Sequence, residues 1–340
     1  MTPRARTLLK YLVSALLTIG LLYFAFRDTD FDKVYLAIKG ANYWWMLAMF
    51  AVLMTSHFFR AWRWRYLLNP IKPGISLRNL FSGVMIGYFV NNLLPRAGEL
   101  VRPYTIGKLE SIPKSAALGT IVVERIMDTA SVLVLVTIIP LVYDGPLLLA
   151  FPWLQRTGII VSCITFGFLL FVLVLMMRRD WTDALLRRVE ALLPSSLGAR
   201  LDKITHSFLD GFLVVKRPGS FLAILVLSTL VWLLYVVMAY LAFFAFGLEG
   251  HLGFGSAVVV LAISSIGMAI PTPGSTGGYH WFAAQTLIRL FHIPNEVALG
   301  YATLTHAVGF IGVTVIGLYF FLRDNVTITE AINKPVEQAT

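Results

Sequence analysis

Several apolar runs in this chain are long enough to cross a bilayer, which takes about 20 helical residues. Leu8–Phe26, Ala116–Val142, Phe221–Leu248 and Glu296–Leu322 are the longest. In hydrocarbon every backbone N–H and C=O must be satisfied internally, so such runs fold as helices or as strands of a closed barrel. Runs of this length without alternation read as helices. Only 14% of the 340 residues are charged and 58% are hydrophobic, against about 25% charged in soluble domains. The sequence predicts an all-α polytopic membrane protein.

The formal net charge of +10 comes from Lys and Arg gathered in a few loops, the usual mark of cytoplasmic connections. It is not read as a nucleic-acid footprint. The single Cys163 rules out an internal disulfide and argues against a thiol metal cluster. The N-terminus carries Arg4, Arg6 and Lys10 before its apolar run. No small-residue cleavage site precedes Arg27, so the run is expected to stay as a first span.

The stretch Asn91–Arg102 holds two Asn, Pro95, Arg96, Gly98, Glu99 and Arg102 inside otherwise apolar sequence. A second break, Pro271–Gly278, follows the apolar run Phe254–Ile270 and precedes the short helix Tyr279–Phe291. Trp44–Phe59 reads as a span opened by an aromatic anchor, with a basic loop at 60–78. Ile159–Met177 reads as a span, and residues 181–217 as a cytoplasmic amphipathic segment.

Loop charges decide between topologies. Eight spans from an inside N-terminus would place more basic residues outside than inside, against the positive-inside bias. If residues 79–114 and 254–293 each enter and leave on one side, six full spans remain. Eighteen basic residues then face inward and four outward. The expected architecture is one integral membrane domain over residues 1–323 and a polar tail at 324–340, with both termini cytoplasmic. Two re-entrant hairpins broken by Pro and Gly and entering from opposite sides form a predicted inverted repeat.

The candidate site follows from the charges left at membrane depth. Glu99 and Arg102 are three apart and share a helix face. Arg96 and the free N–H groups after Pro95 suit an anion such as a lipid phosphate; the bland reading is an Arg–Glu pair that only locks the hairpin. Glu124 and Asp128 stack on one face with Arg125 beside them, and two carboxylates in apolar surroundings need a cation. They read as a substrate gate or proton relay, or else as a structural charge cluster. Asn92 belongs to the first break, and Pro273, Gly274, Gly277 and Gly278 to the second, where backbone can approach a ligand closely. His280 and His306 lie in or beside the second break, as interior residues or titrating groups. His57, Arg60, Arg63 and Arg65 read as a span end attracting headgroups. The second break lacks the Lys of a phosphate-binding loop. No catalytic motif, cofactor or metal site is read.

Three motifs, Asn91–Arg102, Val123-Glu-Arg-Ile-Met-Asp128 and Pro271–His280, in this order resemble the lysylphosphatidylglycerol synthase transmembrane family. That is the flippase-like membrane domain of the multiple peptide resistance factor and its stand-alone relatives. The resemblance covers nearly the whole chain. It implies a lipid-handling domain of a prokaryotic cytoplasmic membrane that moves a phospholipid or other anionic or polyisoprenoid lipid between leaflets. Its partners would be membrane lipids and a lipid-synthesis enzyme. Family members often carry Pro-Gly-Arg where Pro95-Arg96 stands, and a Pro-Gly-Gly run with a following Glu where Gly274-Ser275 and Tyr279-His280 stand. With 18 residues after Leu322, the synthase's soluble aminoacyl-transferase domain is not expected. An embedded enzyme or accessory subunit of lipid modification is the other reading.

Single cysteines at Ser111 and Ser195, in a Cys163→Ala background, should both label from the cytoplasmic side. Labelling of Ser111 only from outside would overturn the re-entrant topology.

Overall fold

A computed structural model describes residues 3–143, residue 145, residues 147–153, part of 155–170, and residues 218–333. The span read at 159–177 lies mostly outside the described residues. The segment 181–217 lies wholly outside them.

The described residues are helical, with no strand. Helix α1, Pro3–Phe26, bends by 87° into α2, Phe31–Lys39. The Asp30 carboxylate accepts the Asp32 and Lys33 N–H groups and caps α2, satisfying donors that a helix start leaves open. Asn42 caps α3, Tyr43–Leu68, in the same way through the Trp44 N–H. Then follow α4, Leu77–Leu93; α5, Gly98–Glu110; α6, Lys114–Val142; and a single turn α7, Leu147–Ala150. The second part contains α8, Pro218–Ala245; α9, Phe254–Met268; α10, Gly278–Phe291; α11, Asn295–Arg323; and α12, Ile328–Asn333. Among the described residues α6, α8 and α11 are long and apolar enough to span a bilayer, and α1 with α2 adds a fourth if the bent pair is one span. The chain is a multi-pass helical membrane protein.

The second span does not end at Phe59. Helix α3 runs on to Leu68, and residues 60–68 are not a loop. Arg60 and Arg63 are 3% and 0% exposed, and Trp64 is fully buried. No Pro, Gly or capping residue stops the helix after Phe59, and the two guanidiniums have buried partners. The region between α1 and α3 is mostly the amphipathic helix α2, whose Val34 is buried.

The series α3, α4, α5, α6 recurs as α8, α9, α10, α11 at an offset of about 180 residues. Helix α5 starts at Gly98 and α10 at Gly278. Each ends in a left-handed residue, Ser111 with φ 51° and His292 with φ 55°. Each is followed by Ile-Pro, where proline closes off the preceding turn and opens the next long helix. Both breaks let the chain fold back on itself. Gly87 of α4 packs against Gly98 and Arg102 of α5, and a Cβ on Gly98 would collide with the Gly87 carbonyl. In the second half a Cβ on Gly267 would lie 2.6 Å from the Gly278 carbonyl. Small residues at such crossings let helices approach where hydrophobicity supplies no drive to associate.

The two breaks also touch each other. Arg96, in the left-handed region at φ 59°, donates from Nη2 to the Ala269 carbonyl at 2.6 Å. Asn92 lies beside Gly274, where a Cβ would meet Asn92 Oδ1 at 2.9 Å and Phe310 at 2.5 Å. The first half is further strapped by the segment after α11. Lys108 donates to the Asn325 carbonyl at 2.7 Å, Tyr104 to Glu330 at 2.7 Å, and Lys114 to the Ala331 carbonyl.

Gly98→Ala is expected to lower the thermal midpoint in detergent by several degrees, since a methyl forced onto backbone costs about 1–3 kcal/mol. Gly20→Ala, where a Cβ meets nothing within 4 Å, should leave it in place. Differential scanning fluorimetry of the two variants compares them directly.

Candidate functional site

The cluster is built from three helices. Helix α3 presents Arg60, Arg63 and Trp64 on one face, spaced three and four apart so that they share it. Helix α6 presents Glu124 and Asp128, one turn apart, and α5 presents Arg102. All five charged groups are buried, Glu124 completely.

Glu124 takes the largest share. Arg102 clasps it with two parallel bonds, Nη1 to Oε1 at 3.0 Å and Nη2 to Oε2 at 2.9 Å. This fork geometry is the strong form of an Arg–carboxylate pair. Arg60 Nη1 reaches Oε1 at 3.0 Å as well, and Arg63 Nη2 lies 3.4 Å from the same oxygen. Asp128 receives Arg60 Nη2 on Oδ2 at 2.8 Å and Arg63 Nη2 on Oδ1 at 2.9 Å. Arg63 also donates to Ser228 Oγ of α8 at 3.0 Å.

Aromatic groups floor the cluster. The Arg102 guanidinium lies 3.9 Å from the Trp64 ring centroid, and a cation over an indole face is attracted by its quadrupole. Trp64 is fixed by its own Nε1–H bond to Thr120 Oγ1 at 2.9 Å. Arg60 sits 5.8 Å from the Tyr88 ring, which also packs against His57 at 4.6 Å between centroids.

At the edge, Arg125 Nε lies 3.0 Å from Glu99 Oε1, with side chains 41% and 34% exposed. Arg125 Nη1 approaches Asp128 Oδ2 only to 3.9 Å. Glu99 therefore faces Arg125, while Arg102, three residues on, faces Glu124. In place of a local Glu99–Arg102 pair there are two separate inter-helix pairs. Arg96 joins neither, being exposed and bonded to Ala269.

The remaining predicted residues gather in a second, uncharged group where the breaks meet. Asn92 Nδ2 donates to Thr314 Oγ1 at 2.9 Å and to the Phe310 carbonyl at 3.3 Å. His306 Nε2 bonds the Gly274 carbonyl at 2.8 Å, in the turn that Pro273 opens. The Gly277 N–H donates to His280 Nδ1 at 3.3 Å, Gly278 starts α10, and the two imidazoles pack with centroids 4.6 Å apart. Tyr279 pairs with Thr305 at 3.0 Å. Tyr279 and Thr305 are 26 residues apart, as are Glu99 and Arg125, and each pair joins the helix after a break to the long helix that follows. At the same spacing, one half has an ion pair and the other a neutral pair.

Sequence reasoning missed Arg60 and Arg63 as partners of the carboxylates, because basic residues after an apolar run were taken to mark its end. Their three-residue spacing and the absence of any helix-stopping residue before Asn69 were the available signal.

Removing one partner of a buried ion pair leaves an uncompensated charge and costs about 3–5 kcal/mol. Glu124→Gln is therefore expected to lower the thermal midpoint strongly. Glu99→Gln, at the exposed edge, should cost about 1 kcal/mol or less. Equal effects would show that burial does not set the strength of the two pairs.

The family model described as "Lysylphosphatidylglycerol synthase TM region" matches residues 8–317. A UPF0104 membrane protein of Methanocaldococcus jannaschii is 32% identical over 102 residues, covering 29% of this chain and 30% of that relative. Two UPF0104 membrane proteins of Methanothermobacter thermautotrophicus are 26% identical, one over 259 residues and 72% of each chain, the other over 330 residues and 91% of each. No solved structure matches.

Proposed function

Because the chain belongs to the lysylphosphatidylglycerol synthase transmembrane family, we propose that it moves an anionic phospholipid or other anionic or polyisoprenoid lipid between the leaflets of a prokaryotic cytoplasmic membrane. In this reading α4–α5 and α9–α10 are re-entrant hairpins of an inverted repeat, and the polar route runs between them. The observation that carries it is the buried cluster of Arg60, Arg63, Arg102, Glu124 and Asp128. In this reading α6 begins at the membrane boundary, so Glu124, ten residues into it and about 15 Å along its axis, falls near the middle of a hydrocarbon layer about 30 Å thick. Ionised groups held at that depth are costly, and functional by default.

The residues take separate roles. Arg96, exposed where the two breaks touch, is the first contact for a headgroup phosphate. The half-exposed Arg125–Glu99 pair is the gate, since it separates the exposed edge from the buried charges. Arg102, Arg60 and Arg63 take over phosphate oxygens as they release carboxylate oxygens, so no guanidinium is left unpaired during passage. Asn92, Gly274, His280 and His306 bind the two breaks together and set how far they can separate.

The dense internal pairing of the cluster also favours a second reading. In it the protein binds lipid without moving it, as an accessory to a lipid-modifying enzyme.

Transfer of fluorescent lipid between leaflets of proteoliposomes separates the readings. Wild-type protein should accelerate transfer. Arg96→Ala should slow it at least about fivefold, a change of about 1 kcal/mol, with the thermal midpoint unchanged. Transfer no faster than in protein-free vesicles would leave the accessory reading standing.

A further inference from the structure

Among the described residues the buried cluster does not balance. Three guanidiniums, Arg60, Arg63 and Arg102, face two carboxylates, Glu124 and Asp128. Arginine keeps its proton in proteins, and each carboxylate accepts bonds from two guanidiniums, so the five groups carry a net charge of +1. The edge pair Arg125–Glu99 adds one charge of each sign and leaves the surplus unchanged.

The hydrogen bonds are unbalanced in the same direction. The buried Nε–H groups of Arg60, Arg63 and Arg102 have no acceptor among the described residues. A buried donor without an acceptor costs about 1–3 kcal/mol, and more when charged. Surplus charge and surplus donors thus both call for a group with one negative charge and several acceptor oxygens.

We infer that the site is selective for a lipid headgroup with a single negative charge, a phosphodiester with no ammonium group. This rests on the lipid-handling reading above and names its substrate class. One phosphodiester neutralises the cluster and brings acceptor oxygens of the kind the spare donors lack. A zwitterionic headgroup brings an ammonium toward an already cationic site. An aminoacylated headgroup with net positive charge is excluded more strongly, by like-charge repulsion in a low-dielectric interior. The surrounding apolar helices favour the acylated form over the free headgroup.

The test uses the full-length protein in uncharged detergent, with thermal shift and native mass spectrometry as readouts. The probes are short-chain phosphatidylglycerol, phosphatidylcholine, lysyl-phosphatidylglycerol and the deacylated soluble diester glycerophosphoglycerol. Phosphatidylglycerol should bind at least about tenfold tighter than phosphatidylcholine, with the lysylated lipid and the soluble diester weaker still. Equal binding of the first three, or a preference for the lysylated lipid, overturns the inference. Equal binding of the soluble diester overturns its lipid part.

Arg63→Gln removes the surplus charge and should abolish the preference, and Arg63→Gln with Asp128→Asn restores the charge and should recover it. If neither variant folds, the wild-type ranking decides alone. Selective binding without transfer between leaflets would sink the transport reading and leave this inference intact. Transfer without selectivity would do the reverse.

Discussion

Glu124 holds three helices at one point. Its two oxygens accept both arms of Arg102 from α5 and one arm of Arg60 from α3, while Arg63 stands at 3.4 Å. A carboxylate taken out of water needs this much compensation. The need orients everything around it: α3 must continue past Phe59 to bring Arg60 and Arg63 into range, and α5 must fold back along α4. The glycine contact at Gly87 and Gly98 is what lets α5 come close enough. The polar centre and the chain reversal are one structural solution.

The duplicated helix order gives that centre its meaning. Both halves contain a chain reversal built on paired glycines, and both place the next long helix after an Ile-Pro step. Among the described residues only the first half carries a buried cluster of ion pairs. The other fills the equivalent place with Tyr279–Thr305 and the imidazoles of His280 and His306. The two halves touch at Arg96–Ala269 and Asn92–Gly274. The exposed Arg125–Glu99 pair is the weak point of the charged half, because a solvated ion pair is worth far less than a buried one.

Much of the layout was legible in the sequence. Hydropathy located the long helices, and Pro and Gly at 95–98 and 271–278 located both breaks within a few residues. Glu124 and Asp128 stood out because carboxylates in an apolar run need a cation. The extent of α3 was not legible from hydropathy, which scores an arginine by its cost in lipid and cannot see the carboxylate that repays it. In the sequence the repeat is visible only as a layout, and the helix boundaries add a shared element order. The residues that then correspond, Gly98 with Gly278 and Ser111-Ile-Pro113 with His292-Ile-Pro294, are too few to detect without that register.

The sequence by itself determined that this protein lives in a membrane, is helical, breaks twice, and keeps ionised groups where lipid would exclude them. Those outcomes depend on composition and local backbone chemistry, which act residue by residue. The tertiary structure decided which charges meet. Arg102 could have turned to Glu99 on its own helix, and instead turned to Glu124 on the next. Arg60 and Arg63 could have faced headgroups, and instead complete the pairing of Asp128. Partner choice depends on distances between helices whose paired residues lie 22 to 68 positions apart in the chain, and only their packing sets those distances.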